Sequence, residues 1–198
     1  MRSANTVQIE SHAAATLRYI RASMDGAASV AVPGSAGIAM GSIGLLAMAL
    51  ASAPGLREHW FAIWLAAAAL AAAAGLPLIT QPSSLRGLTL RGAPVRRFAL
   101  CLLPALFAGV VMTVVHWSYG NLHAIPGTWL LLYGCALISA SVATTRTLAV
   151  MGGLFVVLGL TALLLPSELQ VLMLGSGFGG LHILFGWLIG RSKHDCQV

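Results

Sequence analysis

The sequence predicts an all-α membrane protein, a polytopic transmembrane helical bundle of about six spans preceded by an N-terminal amphipathic helix. Three observations carry this prediction. Of the 198 residues, 58% are hydrophobic and 8% are charged, whereas a soluble domain carries about 25% charged residues. Six hydrophobic runs each approach the ~20 residues needed to cross a ~30 Å hydrocarbon core. The basic residues, finally, fall almost entirely in alternate connecting segments.

Residues 1–33 hold Arg2, Glu10, Arg18, Arg21 and Asp25, too many charges for a span. Yet Ile9, Ala13, Leu17, Ile20 and Met24 recur at three- and four-residue intervals, the apolar stripe of an amphipathic helix. With Tyr19 and two arginines beside the stripe, such a helix suits the headgroup layer or a docking face on the bundle. Pro33 and Gly34 end it. The runs that follow cover about 35–53, 59–79, 98–117, 128–145, 147–165 and 169–190, and residues 191–198 form a tail. The fourth run is the weakest, because Ser139, Ser141, Thr144 and Thr145 dilute it. Only Arg146 separates it from the fifth, which predicts a tight helical hairpin. Pro54-Gly55, Pro126-Gly127 and Pro166 mark the other turns.

Orientation follows from counting cations. Placing the N-terminus inside puts Arg2, Arg18, Arg21, Arg86, Arg91, Arg96, Arg97, Arg146, Arg191 and Lys193 on the cytoplasmic side and leaves Arg57 alone outside. The positive-inside rule requires this asymmetry, and it sets both termini in the cytoplasm. Trp60, Trp117, Tyr119 and Trp129 cluster at the outer interface, with Tyr19 and Trp187 at the inner one. Ala51-Ser52-Ala53 imitates a signal-peptidase site, but the charged segment before it is too long, the run is a full span, and Pro54 would directly follow the cut. Met40-Gly41 with Pro54 and Met151-Gly152 with Pro166 suggest a repeat of outward-going spans. Recurrence of small residues and proline explains the pair as well.

Glycine spacing is the most specific local signal. Gly175 and Gly179 form one GxxxG, Gly186 and Gly190 a second, and Gly37 and Gly41 a third in the first span. Four-residue spacing puts bare backbone on one helical face, where a neighbour can approach closely. Gly175 to Gly180 superficially resembles a dinucleotide loop, but it lies inside a hydrophobic run and follows no strand. His182, just after this face, is the one ionisable side chain predicted deep in the core. Such a residue is by default a functional candidate, as proton relay, substrate anchor or axial ligand. The structural alternative is a neutral imidazole bonded to a helix carbonyl or to Ser141. His59, His116 and His123 share the outer side and form a weak metal candidate that lacks carboxylate or thiolate support apart from Glu58. Pro104 interrupts the third span and frees the carbonyl of Leu100.

Several classes have no machinery here. Within the spans there is no Asp, Glu, Lys or Arg, which disfavours cation-coupled transport, and there is no HExxH, GxSxG or Walker motif. Cys101, Cys135 and Cys196 form no paired motif. The net charge of +6 reflects topology, with attraction to anionic lipid headgroups around Arg86, Arg91, Arg96 and Arg97, so no nucleic-acid partner is expected.

The blocks Glu10-Ser-His-Ala-Ala-Ala-Thr-Leu-Arg-Tyr-Ile-Arg21, Ala31-Val-Pro-Gly34 and Gly177-Phe-Gly-Gly-Leu-His-Ile-Leu-Phe-Gly186 resemble those of a family of uncharacterised bacterial multi-span membrane proteins, with the likeness covering most of the chain. The resemblance implies a bacterial inner-membrane location and carries no activity. It draws attention to Glu10, His12, Arg18 and Arg21 on the amphipathic helix, and to His182. The resulting expectation is a non-enzymatic bundle that binds or passes a small molecule, or serves as a membrane-embedded subunit of a homo-oligomer or larger assembly, without a cofactor. Two alternatives remain open: a redox protein with haem or metal on His182, and a sensor that reads the membrane through its N-terminal helix.

Overall fold

The computed structural model describes residues 16–17, 33–80, 93–142 and 144–194. Among these residues the ordered elements are all helical. They are α1 (Gly34–Ser52), a 3-10 turn (Arg57–His59), α2 (Trp60–Thr80), α3 (Ala93–Ser118), α4 (Ala124–Ser141), α5 (Arg146–Leu164), a second 3-10 turn (Ser167–Leu169), and a last span in three parts. Those parts are α6 (Gln170–Leu174), a π-helical segment (Gly175–Leu181) and α7 (His182–His194). Six helices are long and apolar enough to cross a bilayer, consistent with a multi-pass membrane protein. The amphipathic helix expected over residues 1–33, with Glu10, His12, Arg18 and Arg21, lies outside the described residues but for Thr16, Leu17 and Pro33.

Proline sets where helices stop. Ala53 and Leu165 both adopt extended backbone, with ψ of 140° and 156°, because the ring of Pro54 or Pro166 disfavours the helical region for the residue before it. The similar endings of α1 and α5 therefore follow from one steric rule. At the end of α3, Gly120 takes a φ of +67°. The amide of Asn121 donates to His116 O at 2.8 Å and that of Gly120 to Trp117 O at 3.1 Å, a Schellman closure that needs the glycine.

Inside a bilayer, apolar burial does not drive helix association, so close packing and interhelical hydrogen bonds must. Glycine provides the packing. In the α4–α5 hairpin a Cβ on Gly134 would come within 2.7 Å of Gly152 O, and one on Gly152 within 2.7 Å of Gly134 O. The two backbones therefore touch through reciprocal bare positions. The face of α1 formed by Gly34, Gly37, Gly41 and Gly44 lies against the last span in the same way. A Cβ on Gly41 would meet Gly179 O at 2.8 Å, one on Gly37 would meet His182 O at 3.0 Å, and one on Gly186 would meet Gly34 O at 2.7 Å. Gly175 faces the Met48 side chain, while Gly190 offers its backbone to Gly34 and has open space beyond its own α-carbon.

The spans divide into central and peripheral members. Half of the α4 span is buried, against 6% of the α3 span. Leu130 and Leu137 of α4 join Phe155 of α5 and Leu174 of the last span in the central cluster. By contrast α3 turns Leu100, Leu103, Phe107 and Val114 outward. So much exposed apolar surface suits lipid contact and would be an aggregation liability in water.

Three boundaries differ from the sequence reading. The fourth span begins at Ala124, and Pro126 with Gly127, expected as a turn, sits buried in its first helical turn. Proline is tolerated there because the first amides of a helix have no intrahelical acceptor. That span also ends at Ser141, leaving Thr144 and Thr145 in the connection. The third helix starts at Ala93, ahead of its hydrophobic run, and continues through Pro104.

Candidate functional site

Among the described residues two polar side chains are buried, Gln170 and His182, each 5% exposed. Both belong to the last span. Gln170 opens α6 and His182 follows twelve residues later, a rise of about 18 Å at helical pitch. The last span thus carries a polar group at its start and another near the middle of the bundle.

The local sequence explains how His182 is held. Gly175, Gly177, Gly179 and Gly180 crowd the segment before it, and glycine is the weakest helix former after proline. The helix widens there into π geometry over seven residues, a rare form that recurs at functional sites. Gly177 admits Leu130 and Phe155, whose Cδ2 and Cε1 would lie 2.5 and 3.1 Å from an added Cβ. His182 then enters an aromatic cluster. Its ring stacks on Phe178 at a centroid distance of 6.1 Å and meets Phe155 edge-on at 5.5 Å. Tyr133 lies 5.0 Å from both Phe155 and Phe178, and Trp64 closes the far side at 6.3 Å from Phe178.

The polar contact in this cluster is a hydrogen bond between His182 Nε2 and Tyr133 Oη at 2.9 Å, linking the last span to α4. The sequence offered Ser141 or a helix carbonyl as the partner. Ser141 Oγ instead donates to Ile138 O within its own helix at 2.6 Å. His182 Nδ1 is buried without a hydrogen-bond partner, as is Trp64 Nε1. A buried polar atom without a partner is costly where water is absent.

The second feature is a half-open cleft of about 540 Å³ at the end of the bundle that carries Arg57. All three connections at that end reach it, through Arg57 and Trp60, His123, and Ser167 with Glu168, while Gln170 lines it from the last span. Arg57 Nε donates to Ser52 O at 3.2 Å, and Ser167 Oγ donates to Glu168 Oε1 at 3.3 Å. The amide of Gln170 has no hydrogen-bond partner in the protein.

His59, His116 and His123 are not gathered into a metal site, and no group of three potential ligands exists among the described residues. His116 Nε2 is hydrogen-bonded to Thr128 Oγ1 at 3.1 Å, tying α3 to α4, whereas His123 lines the cleft. Spacing across two loops could not reveal that α3 would use its histidine for packing.

Sequence reasoning singled out His182 and missed Tyr133, Trp64 and Gln170. A signal existed for two of the three. Tyrosine and tryptophan belong at the interfaces of a membrane protein, so Tyr133 inside the Leu-rich fourth span was out of place, and Gln170 is the sole amide side chain at the head of the last run. No protein-family profile, curated protein or solved structure matches the chain.

Proposed function

We propose that this chain is a non-enzymatic membrane protein that takes up a small solute at the Arg57 end and passes it along the inner face of the last span. One observation carries the reading. Gln170 is 95% removed from solvent, lines a cleft of about 540 Å³, and has no partner in the protein. An amide that opens onto a cleft without a protein partner is placed to donate to and accept from a ligand there. The volume lies within the ~300–1,000 Å³ of small-molecule pockets.

Deeper in the bundle, the Tyr133–His182 pair and the unpaired Trp64 Nε1 offer a second polar station. The π-helical segment between the stations supplies a place where the span can change its winding. The cationic asymmetry of the loops supports an orientation with both termini in the cytoplasm and the cleft open to the outside of a bacterial inner membrane. The redox alternative draws less support, since Nε2 of His182 is engaged by Tyr133 and the ring is lined by aromatic side chains.

The test is thermal protection of the detergent-solubilised full chain by a panel of amino acids, dipeptides, monosaccharides and monocarboxylates. At least one class is expected to raise the melting temperature of the wild-type chain, and Gln170→Leu is expected to abolish the rise while folding normally. Protection by none of them, or protection unchanged in Gln170→Leu, overturns the proposal.

A further inference from the structure

We infer that the cleft selects a zwitterion, a solute carrying a protonated amine and an anionic group; this rests on the reading that the cleft is where solute enters. Arg57 and Glu168 line the same cavity and form no ion pair with each other. Each is only lightly engaged, Arg57 through Nε to a backbone carbonyl and Glu168 through Oε1 to Ser167. Among the described residues the cavity is therefore lined by a cation and an anion from two different connections that do not pair with each other, and by the Gln170 amide.

Charge balance decides between ligand classes. An anion drawn to Arg57 must tolerate Glu168, and a cation drawn to Glu168 must tolerate Arg57. Like charges brought together at an interface are costly, so either alone is penalised. A molecule with both charges meets each at once, and the Gln170 amide can donate to it and accept from it. Size removes a bare ion, because about 540 Å³ is many times the ~30 Å³ share of one water. Leu122, Pro126 and Val171 add apolar wall for a side chain.

An amine joined to an anion is found both in free amino acids and dipeptides and in the phosphoethanolamine headgroup of a lipid. The experiment separates these sources. The full chain in a non-ionic detergent is titrated with glycyl-leucine, with its N-acetyl and C-amide forms, and with phosphoethanolamine. In parallel, phosphatidylethanolamine and phosphatidylglycerol are compared as stabilisers in the same detergent. Saturable binding of glycyl-leucine is expected, weakened about tenfold or more by capping either end, as for loss of one charge-assisted hydrogen bond. Arg57→Gln should bind the uncapped and C-amide forms alike, and Glu168→Gln should no longer distinguish the N-acetyl form.

Tight binding of phosphoethanolamine and selective stabilisation by phosphatidylethanolamine, with glycyl-leucine silent, keeps the zwitterion preference of the cleft, assigns it to the lipid headgroup and overturns uptake of a small solute. Equal binding of capped and uncapped forms overturns the zwitterion. So does protection confined to sugars or monocarboxylates, which leaves solute uptake standing. Absence of protection by every class overturns both. Arg57 and Glu168 are exposed on the rim, so their variants are expected to keep the melting temperature of the unliganded chain.

Discussion

Replacing Tyr133 by phenylalanine removes one oxygen atom and leaves the aromatic packing against Phe155 and Phe178 in place. The lost oxygen is the partner of His182 Nε2 at 2.9 Å, and Nδ1 of that ring already has none. The variant therefore buries an imidazole with neither nitrogen paired. Interhelical hydrogen bonds in membranes contribute about 0.6 kcal/mol on average and up to ~1.7, and leaving a buried polar group unsatisfied costs about 1–3 kcal/mol. The expected destabilisation is about 1–2 kcal/mol, a factor of roughly 5–30 in the folding equilibrium. Unfolding of the detergent-solubilised chain by increasing SDS, followed by tryptophan fluorescence and circular dichroism, measures it. A double-mutant cycle with His182→Phe should return a coupling of about 0.5 kcal/mol or more. Ser141→Ala is the control, since that hydroxyl serves its own helix, and a change within ~0.5 kcal/mol is expected. Full additivity in the cycle, or a larger loss in Ser141→Ala than in Tyr133→Phe, refutes the assignment of the partner.

Two further outcomes follow from the packing. Gly134→Ala should destabilise the α4–α5 hairpin by about 1–3 kcal/mol through overpacking, because its Cβ would sit 2.7 Å from Gly152 O and Val156 N. Gly153→Ala, one residue from Gly152 yet with open space at its Cβ, should be neutral or stabilising by up to about 1 kcal/mol in the same SDS titration. Trp129→Phe removes the bond from Nε1 to Thr113 Oγ1 at 2.9 Å that ties the peripheral α3 to α4. Its effect should be a loss of about 0.5–1.5 kcal/mol, accompanied by faster proteolysis at the α3 end of the bundle.

The parts of this architecture that depend on local chemistry were legible in the sequence. Hydropathy located six spans because each needs only its own length and apolarity, and prolines 54 and 166 located two helix ends through a constraint on one neighbouring residue. His182 stood out because an ionisable side chain in a hydrophobic run is rare. Its partner did not, since Tyr133 is 49 positions away and the contact arises from the packing of two helices that no periodicity specifies. The glycines show the same division. Spacing picked out Gly37, Gly41, Gly175, Gly179, Gly186 and Gly190, but which glycine meets which neighbour depends on how deeply the helices cross. The spacing gave no hint that Gly34 and Gly44 extend the α1 face or that Gly134 and Gly152 touch reciprocally. The widening of Gly175–Leu181 into a π-helix was equally hidden, because a glycine-rich stretch permits several windings and the packing around Gly177 and Gly179 selects one. The cleft was least accessible of all, as it forms where three connections meet.

The central claim is that water and solute reach Gln170 from the side opposite the termini. A chain with Cys101, Cys135 and Cys196 replaced and a single cysteine at position 170 tests it most directly, with a second variant carrying the cysteine at the exposed Ser167. Both are treated in intact bacterial cells with a small membrane-impermeant thiol reagent, and a tag after Val198 reports the other side. The account predicts modification at 167 and at 170 without permeabilisation, with the tag reached only after it. Modification at 167 alone, or at 170 only in permeabilised cells, would contradict it.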